Sequence, residues 1–223
     1  MSVKHLPNIQ SPADIKDFSI DELREVCDEL RSHIIETITE TGGHLAPTLG
    51  VIELTVALHY IYEAPKDKII WDVGHQAYAH KLLTGRYDRF STIRQFKGIS
   101  GFLKRTESEY DVFGAGHAST SISAGLGIAA GRDHNGDDFR IASIIGDGSM
   151  TGGLAFEGIN NAGHLRKQLL VILNDNEMSI SPNVGAMHHY LTRIVTNPVY
   201  NRIRDEIWNI TGKLPYGKST SRS

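Results

Sequence analysis

Three short segments of almost uniformly apolar residues constrain the fold of this 223-residue chain more than any other feature. Each segment has the length of a β-strand, and polar or glycine-rich residues follow it rather than a hairpin turn. Strands that are apolar on both faces are typical of a parallel sheet covered on both sides. The segments are Lys68-Ile-Ile-Trp-Asp-Val73, Ile141-Ala-Ser-Ile-Ile145 and Leu169-Leu-Val-Ile-Leu173.

Helical patterns precede and separate these strands. Ser19 and Glu22 form a capping box at the start of an amphipathic helix, and Gly42-Gly43 ends it. Further helices are predicted over residues 49–62, about 118–131 and 152–163. The alternation of strand and helix predicts an α/β fold in which a parallel sheet is covered by helices on both faces.

Composition narrows the class of protein. A chain of 223 residues with 40% hydrophobic residues can bury one substantial core, so one domain is expected. Lys and Arg are scattered and the net charge is −3, which does not favour nucleic acid as a partner. The single cysteine, Cys27, cannot form an intramolecular disulfide and fits a buried thiol in a reducing compartment.

The sequence was also searched for a signal peptide and for membrane-spanning segments, which bear on where the protein is located. Residues 1–17 lack the apolar core of a signal peptide, and no uncharged apolar run is long enough to span a bilayer. We therefore expect a soluble, cytoplasmic protein without a membrane partner.

Polar residues follow each predicted strand: Asp72-Val-Gly-His75, Gly146-Asp-Gly-Ser149 and Asn174-Asp-Asn176. Ligands of open α/β sheets bind at the carboxyl ends of the strands, so these three groups are expected to converge on one site. A nucleotide-binding Rossmann protein is disfavoured, because no Gly-x-Gly-x-x-Gly follows the first strand.

The second group carries the chemistry of a phosphate and metal site. Gly146 and Gly148 allow close approach of a ligand to the backbone, and the helix that follows offers unpaired N–H groups to an anion. Asp147 would repel a phosphate unless a hard cation such as Mg²⁺ bridged them. The amide oxygen of Asn176 and a carbonyl near Met178 could complete the metal ligands. Taken alone, each motif is also compatible with a simple turn or helix cap.

Gly146-Asp-Gly148, 27 intervening residues and Asn176 together resemble the thiamine diphosphate fingerprint. The surrounding sequence is similar to the 1-deoxy-D-xylulose-5-phosphate synthase family, and the resemblance covers about residues 20–210. It implies a truncated form of the thiamine-diphosphate-binding fold found in the N-terminal part of transketolases. Six stretches carry the resemblance: Thr41-Gly-Gly-His-Leu-Ala46, Asp72-Val-Gly-His-Gln-Ala-Tyr78, Gly98-Ile-Ser-Gly-Phe102, Gly114-Ala-Gly-His-Ala-Ser-Thr-Ser121, Gly146-Asp-Gly-Ser-Met-Thr-Gly-Gly-Leu-Ala-Phe-Glu157 and Leu173-Asn-Asp-Asn-Glu-Met-Ser-Ile-Ser181.

The resemblance also implies roles for individual residues. The histidine that matches His75 reaches the cofactor diphosphate, and the one that matches His44 lies near the reacting thiazolium carbon, where it can move protons. Asp147 and Asn176 would hold Mg²⁺ with help from Met178. The remaining cofactor contacts implied are Gly116, His117, Ala118, Gly148 and Ser149, with residues 119–121 opening a helix whose serines are typical caps.

The activity that the resemblance implies is a transketolase-type transfer that starts isoprenoid synthesis by the non-mevalonate route. Pyruvate loses CO₂ and condenses with glyceraldehyde 3-phosphate, and the cofactor carries the carbanion chemistry. In this family a glutamate on a following domain activates the cofactor, and the enzymes are homodimers. We expect residues 1–210 to be an incomplete cofactor-binding domain, residues 211–223 to be a flexible tail or the start of a mobile loop, and the chain alone to be inactive.

Two alternatives remain open at this stage. The chain could be one subunit of a split transketolase-like enzyme, in which a second polypeptide supplies the remaining domains. It could also be a non-catalytic binding module that keeps the cofactor fold and never consumes pyruvate.

Overall fold

The structure, a computed structural model, describes residues 3–114 and 116–175. Six α-helices and three β-strands are present in this part of the chain. The helices are α1 (Ile20–Thr41), α2 (Leu45–Leu49), α3 (Ile52–Ile61), α4 (Tyr78–Leu83), α5 (Ser121–Asn135) and α6 (Gly153–Leu165); the strands are β1 (Lys68–Trp71), β2 (Ile141–Gly146) and β3 (Leu170–Asn174). Short 3-10 turns lie at Leu6–Asn8, Pro12–Ile15, Tyr87–Thr92 and Ser149–Thr151.

The three strands form one parallel sheet in the order β1-β2-β3. Trp71 pairs with Ile144, and Gly146 pairs with Asn174, so the carboxyl ends of the strands lie at the same edge. Parallel neighbours need crossover connections, which α5 and α6 provide. The predicted α/β fold is confirmed, and all three strands were located to within two residues at either end.

The strands bury side chains on both faces of the sheet. On one face Ile69, Trp71 and Ile144 pack with residues of α3 and the chain just before it. On the other face Ile70 and Ile141 pack against α5, while Ile145 contacts residues of α5 and α6. This two-sided burial explains why the strand sequences are apolar throughout instead of alternating.

Helix α1 begins where its sequence predicts. The Ser19 hydroxyl accepts a hydrogen bond from the Glu22 N–H, and the Glu22 carboxylate accepts one from the Ser19 N–H at 2.8 Å. The helix ends at Gly42, whose φ of +71° is a conformation that glycine adopts without strain. Its apolar stripe joins a core that also receives Leu6, Ile9 and Ile15 from the N-terminal segment.

The helix predicted over residues 49–62 is confirmed as α3, which begins three residues later than predicted. A separate short helix that was not predicted, α2, precedes it and ends at Gly50. Helix α4 was not predicted at all. All six of its residues are buried, including the polar His80 and Lys81, so it does not have the exposed polar face that marks an amphipathic helix.

Two further expectations can be compared with the described residues. Cys27 is buried, and burial raises the pKa of its thiol to about 11, so it is not a nucleophile at neutral pH. Within residues 3–114 and 116–175, none of the helices combines the length and apolarity needed to cross a membrane.

Candidate cofactor site at the sheet edge

A tight turn follows β1 and directs the chain into the site. The Asp72 N–H still donates to the Ile144 carbonyl at 2.8 Å, and then the Gly74 N–H bonds back to the Asp72 carbonyl at 2.6 Å. Val73, between them, has a φ of +60°, which is strained for a β-branched residue. This turn ends the strand two residues earlier than the sequence predicted and places His75 beyond the sheet edge.

The structure brings His44 and His75 together. Their ring centroids are 5.4 Å apart in an edge-to-face arrangement, and the Phe102 ring lies 6.0 Å from that of His44. The Thr48 hydroxyl is 2.8 Å from the His44 carbonyl and 3.2 Å from the His75 carbonyl. Two histidines that the sequence placed in separate motifs thus lie side by side.

Both imidazoles contain one buried nitrogen that is not hydrogen-bonded within the described part of the chain. Among the described residues, the Nδ1 atoms of His44 and His75 have no hydrogen-bond partner. Burial lowers the pKa of His75, the nearby His44 lowers it further, and Asp72 acts in the opposite direction. Burial also lowers the pKa of His44, and the positive charge of Arg94 adds to that shift. Both rings are therefore neutral at pH 7, each able to donate one hydrogen bond and accept another.

A pH titration should reveal this environment. We expect the imidazole resonances of His44 and His75, followed by NMR, to titrate below the ordinary histidine pKa of about 6.5. Because the folded pKa is lowered, each ring adds stability that is full above about pH 6.5 and is lost as the pH falls through the folded pKa. The free energy of unfolding should therefore decrease on acidification from pH 7. Titration of either ring above pH 6.5 would contradict its buried, neutral state.

The segment before α5 contains the three predicted contacts Gly116, His117 and Ala118, and all three are exposed. Gly116 has a φ of +150°, which suits glycine. Ser119 is buried, and its hydroxyl donates to the Ser149 carbonyl at 2.7 Å. This bond joins the segment to the turn after β2.

The expectation that serine hydroxyls cap α5 was wrong. The N-cap residue is Thr120, and its side chain makes no capping bond. The carboxylate of Asp72 instead accepts the Ser119 and Ser121 N–H groups, because the strand end lies beneath the first turn of the helix.

Asp147 lies directly after β2, where the sequence placed it. It is 8% exposed, and its N–H donates to the Asn174 carbonyl of β3 at 3.3 Å. Gly148 is exposed, Ser149 begins a 3-10 turn, and α6 starts at Gly153. A carboxylate followed by exposed backbone and a helix N-terminus is the arrangement expected of a site for a metal-bound phosphate.

Only one of the three predicted Mg²⁺ ligands lies among the described residues. Asn176 and Met178 lie outside the described residues, so Asp147 is the one predicted metal ligand whose position can be given. Within the described part of the chain, no group of three or more His, Cys, Asp or Glu side chains is arranged to hold a metal ion. The Mg²⁺ site stays a prediction.

Two residues that hold His44 in place were not predicted from the sequence. The Tyr78 hydroxyl accepts a long hydrogen bond, 3.4 Å, from the His44 N–H, and Thr48 contacts the carbonyls of both histidines. The glycine that precedes His44 is the one trace of the Tyr78 contact in the sequence. A Cβ on Gly43 would lie 2.8 Å from the Tyr78 hydroxyl, so a larger residue would not fit there. Thr48 gave no signal, because its contact with His75 spans 27 positions of the chain.

The sheet, its covering helices and the polar edge define a protein of the transketolase fold class. Transketolase from Leishmania mexicana superposes with a TM-score of 0.63 over 76% of this chain and 30% of its own length. The sequences are 19% identical, so this likeness shows the fold alone.

Sequence comparison then gives the family. The family model described as 1-deoxy-D-xylulose-5-phosphate synthase matches residues 6–222, and the chain belongs to that family. It is 58% identical over 211 residues to the 1-deoxy-D-xylulose-5-phosphate synthase of Carboxydothermus hydrogenoformans, and 53% identical over 221 residues to that of Alkaliphilus oremlandii. These matches cover 95% and 99% of this chain but 34% and 35% of the relatives. The chain therefore spans about a third of the length of the relatives it matches.

Proposed function

We propose that this chain forms the diphosphate-binding part of a thiamine-diphosphate-dependent 1-deoxy-D-xylulose-5-phosphate synthase, a transketolase-type transferase. The observation that carries the proposal is the convergence of His75, Ser119 and Asp147 on one sheet edge in a member of this family. The reaction proposed is the decarboxylative condensation of pyruvate with glyceraldehyde 3-phosphate.

The residues present fit the cofactor. The unpartnered Nδ1 of His75 is a buried polar atom that a diphosphate oxygen could satisfy once the ring carries its proton there. Exposed backbone at Gly116, Ala118 and Gly148 leaves room for close contact. Asp147, with Asn176 and a carbonyl near Met178, would hold Mg²⁺ against the diphosphate.

His44 is the residue proposed to act on the reacting atoms. Its lowered pKa keeps the imidazole neutral at pH 7, and a neutral ring can accept a proton from a substrate hydroxyl and return it. The Phe102 ring lies beside it, with the two ring centroids 6.0 Å apart. The bound cofactor would supply the nucleophilic carbon and the electron sink.

We further propose that the parts needed for turnover include segments that the relatives have and this chain does not. An acidic residue that activates the cofactor and the second wall of the site would come from those segments. The isolated 223 residues would then be inactive, because half of the cofactor would face water. Homodimer formation and a cytoplasmic location belong to the same proposal.

The test is an assay of pyruvate and glyceraldehyde 3-phosphate consumption with thiamine diphosphate and Mg²⁺. We expect product from the complete gene product, together with any polypeptide that copurifies, and none from residues 1–223 alone. Turnover by the isolated chain would refute the need for further segments. Cofactor binding without any turnover by the complete assembly would instead support a non-catalytic module.

A further inference from the structure

Two buried carboxylates lie at opposite ends of β1 and have different partners. Asp67, before the strand, binds the guanidinium of Arg140 at 2.7 Å and the Arg140 N–H. Asp72, after the strand, is 1% exposed and accepts the Ser119 N–H at 2.8 Å and the Ser121 N–H at 2.9 Å. Among the described residues, Asp72 forms no ion pair within 4.0 Å.

The N-terminus of α5 therefore stabilises the charge of Asp72. The Ser121 N–H belongs to the first residue of a 15-residue helix, where the helix dipole and unpaired amides favour an anion, and the Ser119 N–H lies just before the N-cap residue, Thr120. A carboxylate with two oxygens can accept both bonds at once, and hydrogen bonds to a charged acceptor are the strong ones. The two bonds fix the position of Ser119 relative to β1.

Ser119 in turn fixes the turn after β2. Its φ of +70° is a left-handed conformation that a non-glycine residue keeps only when its surroundings hold it. Its hydroxyl donates to the Ser149 carbonyl, two residues from Asp147. A Cβ on Gly152 would lie 2.1 Å from the Ser119 hydroxyl, so this contact requires the glycine.

The backbone of Asp72, rather than its carboxylate, begins the turn that leads to His75. The hydrogen bond from Gly74 closes a three-residue turn around Val73, which turns the chain from Asp72 toward His75. Asp72 thus joins the His75 turn through its backbone and residues 116–119 through its carboxylate, and Ser119 extends this connection to the Ser149 turn.

We propose that Asp72 is a positioning residue that sets the cofactor-binding segment 116–118 against the other two segments. It contacts neither cofactor nor substrate and acts through Ser119. This inference rests on the proposed function, because it takes residues 116–118 to be a binding segment for the diphosphate of thiamine diphosphate.

Asp72→Asn, made in the complete gene product, tests the inference, with Asp67→Asn as the matched control. An asparagine has the same shape but one acceptor oxygen, and its NH₂ would face a backbone N–H, so one bond must be lost. We expect thiamine diphosphate affinity, measured by calorimetry in Mg²⁺, to fall about 10- to 100-fold, equal to ~1.4–2.8 kcal/mol. Asp67→Asn should change that affinity less than about threefold, although it also removes a buried charge.

A second readout does not need the cofactor. Without ligand, Asp72→Asn should accelerate amide hydrogen exchange of Ser119 and Ser121 by about tenfold or more, whereas Asp67→Asn should accelerate exchange near Arg140 instead. If Asp72→Asn lowers the thermal stability but leaves the exchange of both amides unchanged, the two bonds do not hold this segment in place. If Asp72→Asn does not fold, Ser119→Ala removes only the bond to Ser149 and should weaken cofactor binding about 3- to 10-fold.

The outcomes separate the two proposals. The role of Asp72 is overturned if Asp72→Asn, or Ser119→Ala in its place, binds thiamine diphosphate as tightly as the unmutated protein. It is also overturned if Asp67→Asn loses as much affinity as Asp72→Asn. The proposed function stands in both cases. Failure of the unmutated protein to bind thiamine diphosphate overturns the proposed function and, with it, the positioning of a cofactor segment.

Discussion

Asp147→Asn should abolish most of the activity of the complete enzyme while leaving its fold intact. The substitution keeps the shape of the side chain and removes one negative charge at the end of β2. If that charge holds Mg²⁺ against a diphosphate, losing it leaves two like-charged phosphate groups without their counter-ion. We expect kcat/KM to fall by about 100-fold or more, the scale of single electrostatic groups in active sites.

The mechanism predicts how this loss depends on Mg²⁺. Raising Mg²⁺ concentration should recover part of the activity of Asp147→Asn, because a weaker site fills at a higher concentration. Asp133→Asn is the matched control, since it removes an exposed carboxylate in the last turns of α5, at the opposite edge of the sheet. Equal activity in Asp147→Asn and the unmutated enzyme, with unchanged cofactor affinity, would refute the metal assignment.

The sequence was informative wherever one local pattern decided the structure. The three strands could be located because two-sided burial makes each of them uniformly apolar. The start of α1 could be located because Ser19 and Glu22 satisfy each other's backbone groups within four residues. The placement of His75 and Asp147 at one edge followed from the parallel order of the strands.

The sequence was uninformative where a contact joins residues that are distant along the chain. Asp72 was recognised as part of a polar group, but its bond to Ser119 spans 47 positions and left no mark on either local pattern. For the same reason the serines before α5 were interpreted as caps. A sequence motif predicts which residues lie at the carboxyl edge of the sheet. Tertiary packing decides which of these residues binds a ligand and which one holds another residue in position.

The burial of Lys81 in the core also could not be predicted from the sequence. Its position in α4 gives no sign of burial, yet its side chain is fully buried between Glu107 and Asp111. A buried lysine is tolerated only when carboxylates surround it. Two such carboxylates and a second cation, Arg86, form a buried charge cluster that no local pattern predicted.

Asp111 is the centre of this buried charge cluster. Both of its carboxylate oxygens accept hydrogen bonds from Arg86 at 2.9 Å, and its Oδ1 lies 3.2 Å from Nε2 of His80. It also accepts the Lys104 N–H at 2.9 Å. Burial alone would raise the pKa of Asp111, but the hydrogen bonds from His80 and Arg86 hold it well below its usual range. The carboxylate is therefore charged at neutral pH.

Asp111→Ala should be among the most destabilising single substitutions in this part of the chain. It would leave Arg86 and Lys81 buried with Glu107 as their remaining carboxylate, and it would free the Lys104 N–H. Removing one partner of a buried ion pair typically costs about 3–5 kcal/mol. Since the whole stability of a domain is about 5–15 kcal/mol, this loss would remove a large fraction of it.

Urea unfolding of the complete gene product, followed by circular dichroism, measures the effect. Asp138→Ala is the control, because Asp138 pairs with Lys66 on the exposed surface at 2.9 Å, where solvent screens the charges; we expect it to leave the midpoint unchanged. If Asp111→Ala does not accumulate, Asp111→Asn should fold with a smaller loss, since its oxygen can still accept from Arg86. A midpoint for Asp111→Ala equal to that of Asp138→Ala would mean that the cluster contributes nothing, and that Arg86 and Lys81 reach solvent when their partner is removed.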